Sequence, residues 1–171
     1  MWATDGAQVE MVRQGRVWLF VAVDHHHGEC VGAHVSVSGD RFSAMEPVRQ
    51  GVRRHFGALG AAVARGLSVH SDHGSQYTSS WLRAELRFLG ITPSLALVGE
   101  PETNGIAERF IRTLKEQVIH GRVYEEIEAL RRAVDDFVAR YNAHWRLEKN
   151  KFRSPDEVRA DFDAARLTEA A

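Results

Sequence analysis

The chain has 171 residues, of which 44% are hydrophobic and 26% charged, with a formal net charge of −1. That length buries a core for one domain without disulfides or a structural metal, and the composition excludes collagen-like, repeat and disordered classes. A single cysteine, Cys30, rules out an intramolecular disulfide framework, and neither a secretory signal nor a run of eighteen apolar residues is present, so a cytoplasmic protein with no membrane partner is expected.

In chain order, "WATDGAQVE" from Trp2, "VWLFVAVD" at 17 to 24 and "CVGAHVSV" at 30 to 37 are rich in β-branched and aromatic residues and read as an antiparallel meander. The pattern then changes to helical spacing, with Met45, Val48, Val52 and Phe56 on one stripe ending near Gly57 or Gly60. A strand at "GLSVHS" follows, then a helix carrying Trp81, Leu82, Leu86 and Leu89 up to Gly90, and a short strand "ITPSLAL". The remainder reads as helix from about Gly105 to Gly121, a longer helix with Ile127, Leu130, Val134, Phe137, Tyr141 and Trp145, and a last one capped by Ser154 with Pro155 at its first position. Strands in a meander followed by alternating helix and strand predict an α/β mixed sheet with helices on both faces. Residues 1–121 read as the core unit and residues 122–171 as a C-terminal helical part of the same domain.

Acids are placed where an α/β sheet collects ligands. Asp72 ends the apolar strand "RGLSV" in the stretch "HSDHGSQYT", a position that loses hydration unless an opposite charge meets it. Asp5 lies in the first strand, and Glu108 lies in the first turns of a helix behind "PETNG". Ile106, Phe110, Leu114 and Val118 form that helix's apolar stripe, which leaves Glu108, Arg112 and Lys115 on another side. Three carboxylates make a hard oxygen donor set suited to Mg²⁺ or Mn²⁺. Each also has a structural reading: Asp72 as a turn former, Asp5 as a strand charge, Glu108 as an acid favoured by the helix dipole. From Glu108 to Arg153 there are 11 Lys and Arg against 8 Asp and Glu, so this stretch is net +3 in a chain that is otherwise net −4. The overall charge argues against a nucleic-acid partner and conceals this basic bias, although most of these residues read as a solvated helical surface of mixed charge.

"DHHHGEC" at 24 to 30 resembles a zinc site only in composition, because on a strand His25 and His27 face one way and His26 the other. It reads as a polar hairpin turn, and Cys30 as a small core residue. Trp81, Phe88, Phe137 and Trp145 fall on helical stripes and are assigned to core or subunit packing, not to base stacking.

"WATDGAQVE", "VHSDHGSQYTS" and "GITPSLALVGEPETNGIAERFIRTLKEQ", with 35 residues between Asp72 and Glu108, resemble the DDE transposases and integrases with a retroviral-integrase-type core, specifically the IS3-like bacterial insertion-sequence group. The resemblance implies an RNase H-like fold with a five-stranded mixed sheet. It implies that Asp5, Asp72 and Glu108 are catalytic and hold two Mg²⁺ or Mn²⁺ ions, for DNA strand cleavage and strand transfer. It assigns DNA contacts to Arg112 and Lys115, with Asn104 shaping the turn before the Glu helix and also placed at the DNA. Gln76 and Tyr77 either touch DNA or pack, and Arg109 makes a structural ion pair. Partners implied are transposon ends and target DNA, a second copy of the chain or a higher oligomer, and a helix-turn-helix DNA-binding part on another domain or chain. The implied location is the bacterial cytoplasm, at the nucleoid. The segment after Asp5 lacks the Thr that the family favours two residues on, which makes Asp24 a rival for the first acid. The alternatives are an inactive relic that dimerises or binds DNA, and a nuclease of the same fold that only hydrolyses.

Overall fold

The computed structural model describes residues 1–95 and 105–169. Near-continuous burial along β2 and β3 follows from their apolar runs, and β1 alternates only towards its end: β1 (Trp2–Met11), β2 (Gly15–Asp24) and β3 (Cys30–Ser36) form the expected antiparallel meander. Gly15, with φ +67, lets β2 leave the turn after Met11. The ladder pairs Met11 with Gly15 and Asp5 with Val21, so it closes around Arg13.

Helix α1 (Arg41–Phe56) begins where the Asp40 carboxylate accepts the Ser43 N–H, and returns the chain to β4 (Ser68–Ser71), which pairs parallel with β1. A single turn, α2 (Ser75–Thr78), and α3 (Ser80–Phe88), capped by the Ser79 hydroxyl, lead to β5 (Thr92–Leu95), parallel to β4. The sheet order is β3-β2-β1-β4-β5. The expected strand at "ITPSLAL" is described as far as Leu95, and its last two residues lie outside the described residues.

On one face, α1 and α3 cover Trp2, Phe20, Ala22, Val31 and Val69. On the other, α4 (Gly105–Leu114), extended by a π-helical turn over Lys115–Ile119, and α5 (Ile127–His144) cover Val9, Leu19, Val21, Val23 and Val35. Fully burying one such side chain contributes roughly 1.5–3 kcal/mol, so the two clusters supply most of the favourable term. Phe88 is exposed, so of the core or subunit packing expected of it the core is excluded. Helix α6 (Pro155–Glu169) starts with a reciprocal cap: the Ser154 hydroxyl accepts the Glu157 N–H, and Glu157 Oε2 accepts the Ser154 N–H at 2.8 Å.

Contacts on both faces bind β3 to the helices. The Asn142 side chain of α5 accepts the Cys30 N–H and donates to the Cys30 carbonyl, both at 2.9 Å, beside an irregularity in the β2–β3 ladder. On the opposite face Gly32 lies directly under α1: a Cβ there would lie against the Pro47 carbonyl, 2.8 Å from its carbon. Backbone cannot yield as a flexible side chain does, so Gly32→Ala is expected to cost about 2–3 kcal/mol. Urea denaturation at neutral pH checks it, and an unchanged midpoint would contradict the close approach.

Candidate active site

Strand pairing brings the first two acids together. Ala3 pairs with His70 in the parallel β1–β4 ladder, so continuing the register by two residues sets Asp5 alongside Asp72, just past the end of β4. Asp5 shares its strand parity with Val9 and Met11, which belong to the core under α4 and α5. Glu108 stands in the first turn of α4 on that face. The buried side of α4 is Ala107, Phe110, Ile111 and Leu114, which leaves Glu108 on the helix flank, at about 100° per residue from its neighbours.

Electrostatics reports the same neighbourhood. Burial, and then the Asp72 and Glu108 charges, push the Asp5 carboxyl up to about 6, against the lowering pull of the Gly6 N–H and the Lys115 ammonium. Asp5 Oδ1 accepts the Gly6 N–H at 2.7 Å and Asp72 Oδ1 accepts the Gly74 N–H at 2.9 Å. These bonds hold both carboxylates in place through one oxygen each. Glycine at 74 keeps the space beside Asp72 open, because a Cβ there would lie 2.9 Å from Asp72 Oδ1 and 2.6 Å from Gln76 Nε2.

The two candidates for first acid separate cleanly. Asp24 pairs across the ladder from Trp2, three residues from Asp5 and of opposite parity. Its carboxylate accepts from Trp2 Nε1 at 3.1 Å and from the His26 and His27 N–H groups at 2.8 and 2.9 Å. Burial alone would raise Asp24, but the His27 N–H, the His27 charge and Arg159 outweigh it and hold the carboxyl below its ordinary value. Asp24 is a turn-forming acid whose carboxylate accepts three hydrogen bonds.

The remaining residues divide. Arg112 is exposed on the Glu108 side of α4, and Lys115 is half-buried in the field of Asp5. Gln76 is half-buried beside Asp72. Tyr77 is 2% exposed within the core under α3, so of its two expected roles the structure takes packing and not DNA contact. Asn104 lies outside the described residues. Arg109, expected in an ion pair, makes none among the described residues; it lines a cavity with Tyr141, Trp145 and Lys149. Sequence reading missed that cavity because its walls come from positions 40 residues apart, and because Tyr141 and Trp145, four apart, look like an ordinary core stripe.

Among the described residues, no three His, Cys, Asp or Glu side chains converge into a ready-made cation site. Asp5, Asp72 and Glu108 share one electrostatic neighbourhood without closing on a common point, as mutually repelling carboxylates do. Their chemistry nonetheless fits hard divalent cations: all donors are carboxylate oxygens, two are pinned through one oxygen only, and Asp5 carries a raised affinity for protons that a cation would displace.

Two integrase core domain models match the chain, over residues 1–101 and 89–148. The chain belongs to the integrase core domain family. Relatives at the sequence level are insertion-element proteins. The transposase of IS629 from Shigella sonnei is 28% identical over 165 residues, 96% of this chain and 53% of that protein. Transposase InsD of IS2 from Escherichia coli is 32% identical over 120 residues, 69% of this chain and 39% of that protein. An uncharacterized protein of IS136 from Agrobacterium tumefaciens is 27% identical over 82% of this chain and 72% of its own length. The chain thus spans about half the length, or less, of the two named transposases. At the structural level, the catalytic core domain of BIV integrase superposes with a TM-score of 0.68 at 18% identity, covering 97% of each chain. The HTLV-2 integrase catalytic core domain, solved in complex with magnesium, gives 0.67 at 14% identity over 91% of this chain and 93% of that one. The five-stranded mixed sheet is the RNase H-like fold of integrase cores.

The raised Asp5 carboxyl carries a stability cost. A group whose folded pKa lies above its unfolded value stabilises below the unfolded value, and that contribution is lost as pH rises through the folded one. The cost in the metal-free protein therefore sets in above pH 4 and is complete above about pH 6. Asp5→Asn is expected to gain about 1 kcal/mol over the parent in EDTA at pH 7.5, after discounting for solvent screening, and nothing at pH 4. Thermal melts at the two pH values test this; a parent at least as stable as the variant at pH 7.5 would refute it.

Proposed function

We propose that this integrase core domain cuts and joins DNA strands by phosphodiester exchange, with Asp5, Asp72 and Glu108 as the catalytic acids that hold divalent cations. The observation that carries the reading is the β1–β4 register, which sets Asp5 beside Asp72 with Glu108 in the same field. Two bound Mg²⁺ or Mn²⁺ ions would supply activation of the attacking oxygen and charge stabilisation on the leaving one. The likeness to an integrase core solved in complex with magnesium supports that choice.

In the first step a water oxygen forms a bond to the scissile phosphorus and the bond to the 3′-oxygen breaks, leaving a 3′-hydroxyl and a 5′-phosphate. In the second, that 3′-hydroxyl attacks a target phosphodiester, so one P–O bond replaces another and no nucleotide triphosphate is consumed. The residues of this chain position and charge the site. The Gly6 and Gly74 N–H groups fix Asp5 and Asp72, and Gly74 leaves room for Gln76 to reach past the carboxylate. Arg112 and Lys115, one and two turns beyond Glu108, meet backbone phosphates. Asn104 and Gln76 complete the proposed DNA contacts. Joining two DNA ends to a target requires two such sites, so the working form is at least a dimer. DNA-end recognition falls to a helix-turn-helix part on another domain or chain. The core unit of residues 1–121 and the helical part 122–171 act together, since α5 completes the core under Asp5.

Oligonucleotide cleavage and strand-transfer assays with Mn²⁺ test the reading. Asp72→Asn and Glu108→Gln are each expected to lower both activities by at least about 100-fold while DNA binding persists. Arg112→Gln and Lys115→Gln are expected to weaken DNA binding and reduce its salt slope by about one each. Cleavage without joining would make the chain a simple nuclease, and binding without cleavage would leave a DNA-binding relic.

A further inference from the structure

The flank of α4 next to the Glu108 side borders a cavity of about 460 Å³, within the size range of small-ligand sites. Its floor is aromatic: the Tyr141 and Trp145 rings lie 5.8 Å apart and 28° from parallel, with Phe137 edge-on behind Trp145 at 6.1 Å. Tyr141 is buried, whereas Trp145 is only half-buried and lines the cavity.

Two cations from different elements line it. Arg109 comes from α4 and Lys149 from the short turn Glu148–Asn150 after α5. They sense each other: burial lowers the Lys149 ammonium, and the Arg109 charge lowers it further against the opposing pull of Asp24. Lys149 Nζ donates to the His25 carbonyl at 2.7 Å, which fixes the ammonium and leaves it further donors. The one acid on the rim, Glu148, is exposed and forms no ion pair with either cation among the described residues. The lining is therefore net positive over a π-stacked floor, complementary to an anion attached to a flat ring.

We propose that this cavity receives one unpaired nucleotide of the bound DNA, with its base against Trp145 and its phosphate between Arg109 and Lys149. This rests on the reading of the neighbouring acids as a DNA-processing site. Glu108 and Arg109 are consecutive on α4, about 100° apart around the helix, so a strand lying along Glu108, Arg112 and Lys115 reaches the cavity by turning over one helix flank. The nucleotide must be unpaired, because a base stacked inside a duplex has no ring face to offer. Aromatic floors of this kind take bases of any sequence.

Fluorescence anisotropy in EDTA with the full chain tests it, using a labelled ten-nucleotide oligothymidylate and a blunt duplex. Arg109→Gln and Trp145→Leu are each expected to weaken single-strand binding about tenfold and duplex binding no more than about threefold, while Trp145→Phe stays near the parent. Deoxyadenosine monophosphate is expected to compete, and inorganic phosphate at equal ionic strength is not. Unchanged single-strand affinity in Arg109→Gln, an equal loss on duplex, or competition by phosphate as strong as by the nucleotide overturns the proposal. Arg109 is exposed, so its variant decides if Trp145→Leu fails to fold. Because the assay holds no metal, it separates the two readings. A parent that cuts DNA but shows no effect of Arg109→Gln removes only the cavity, and a parent that never cuts but shows the expected losses removes only the catalytic assignment.

Discussion

Holding Asp5, Asp72 and Glu108 in one neighbourhood is the constraint around which the molecule is arranged, because each carboxylate opposes the ionisation of Asp5 or shares its field. That opposition is resisted by pairing and packing. β1 is clamped along ten residues by β2 and joined in parallel to β4, and α4 rests on the same face through Phe110, Ile111 and Leu114. At roughly 1.5–3 kcal/mol for each large buried side chain, a handful of these contacts exceeds a repulsion on the order of 1 kcal/mol. The fold therefore tolerates a cluster of acids despite their repulsion.

A second acidic group shows the opposite solution. Glu29 is completely buried, yet burial does not raise its carboxyl, because His55, Arg159 and Arg54 surround it and hold it below its ordinary value. Arg159 Nε donates to Glu29 at 3.0 Å and lies 3.7 Å from Asp24, while His55 Nε2 is 3.2 Å from Glu29. Since Arg159 belongs to α6, this cluster docks the last helix onto the β2–β3 turn, aided by His27 edge-on to Phe162 at 5.1 Å. Glu29 is more buried than Asp5 but has arginines near both of its oxygens. The difference between the two acids lies in the supply of counter-charge and not in depth.

Strands and long helices were legible in the sequence because their apolar periods are long and regular, as in 17 to 24 and 127 to 145. The acids were legible through local signals: a strand end before His-Gly for Asp72, and the helical face shared with Arg112 and Lys115 for Glu108. What could not be read was register. Whether Asp5 or Asp24 meets Asp72 turns on where the first hairpin closes, and a shift of the ladder by one residue changes which face a side chain takes. Tyr77 was ambiguous for a related reason: whether a one-turn helix after Asp72 points its ring inward depends on how α3 packs, which no short motif encodes. The Glu29 cluster and the cation pair of Arg109 and Lys149 join residues 130 and 40 positions apart, beyond any periodicity.

Helix α4 ties these features together, since its sides serve three different surroundings. Ala107, Phe110, Ile111 and Leu114 enter the core, Glu108 and Arg112 stand on one flank, and Ile106, Arg109 and Thr113 line the cavity on the other. A rotation by one residue, about 100°, would misplace all three sets at once. Two interactions fix that angle. Phe110 meets Tyr141 edge-on at 4.8 Å and tilts against Phe137 at 6.0 Å, locking α4 to α5. Beyond Leu114 the backbone widens into a π turn at Lys115–Ile119, closed when the Tyr124 hydroxyl donates to the Val118 carbonyl at 2.6 Å. Across this π turn Lys115 lies within the field of Asp5 and Val118 reaches the core. The placement of Glu108 is therefore set less by its own contacts than by aromatic packing on the opposite side of its helix.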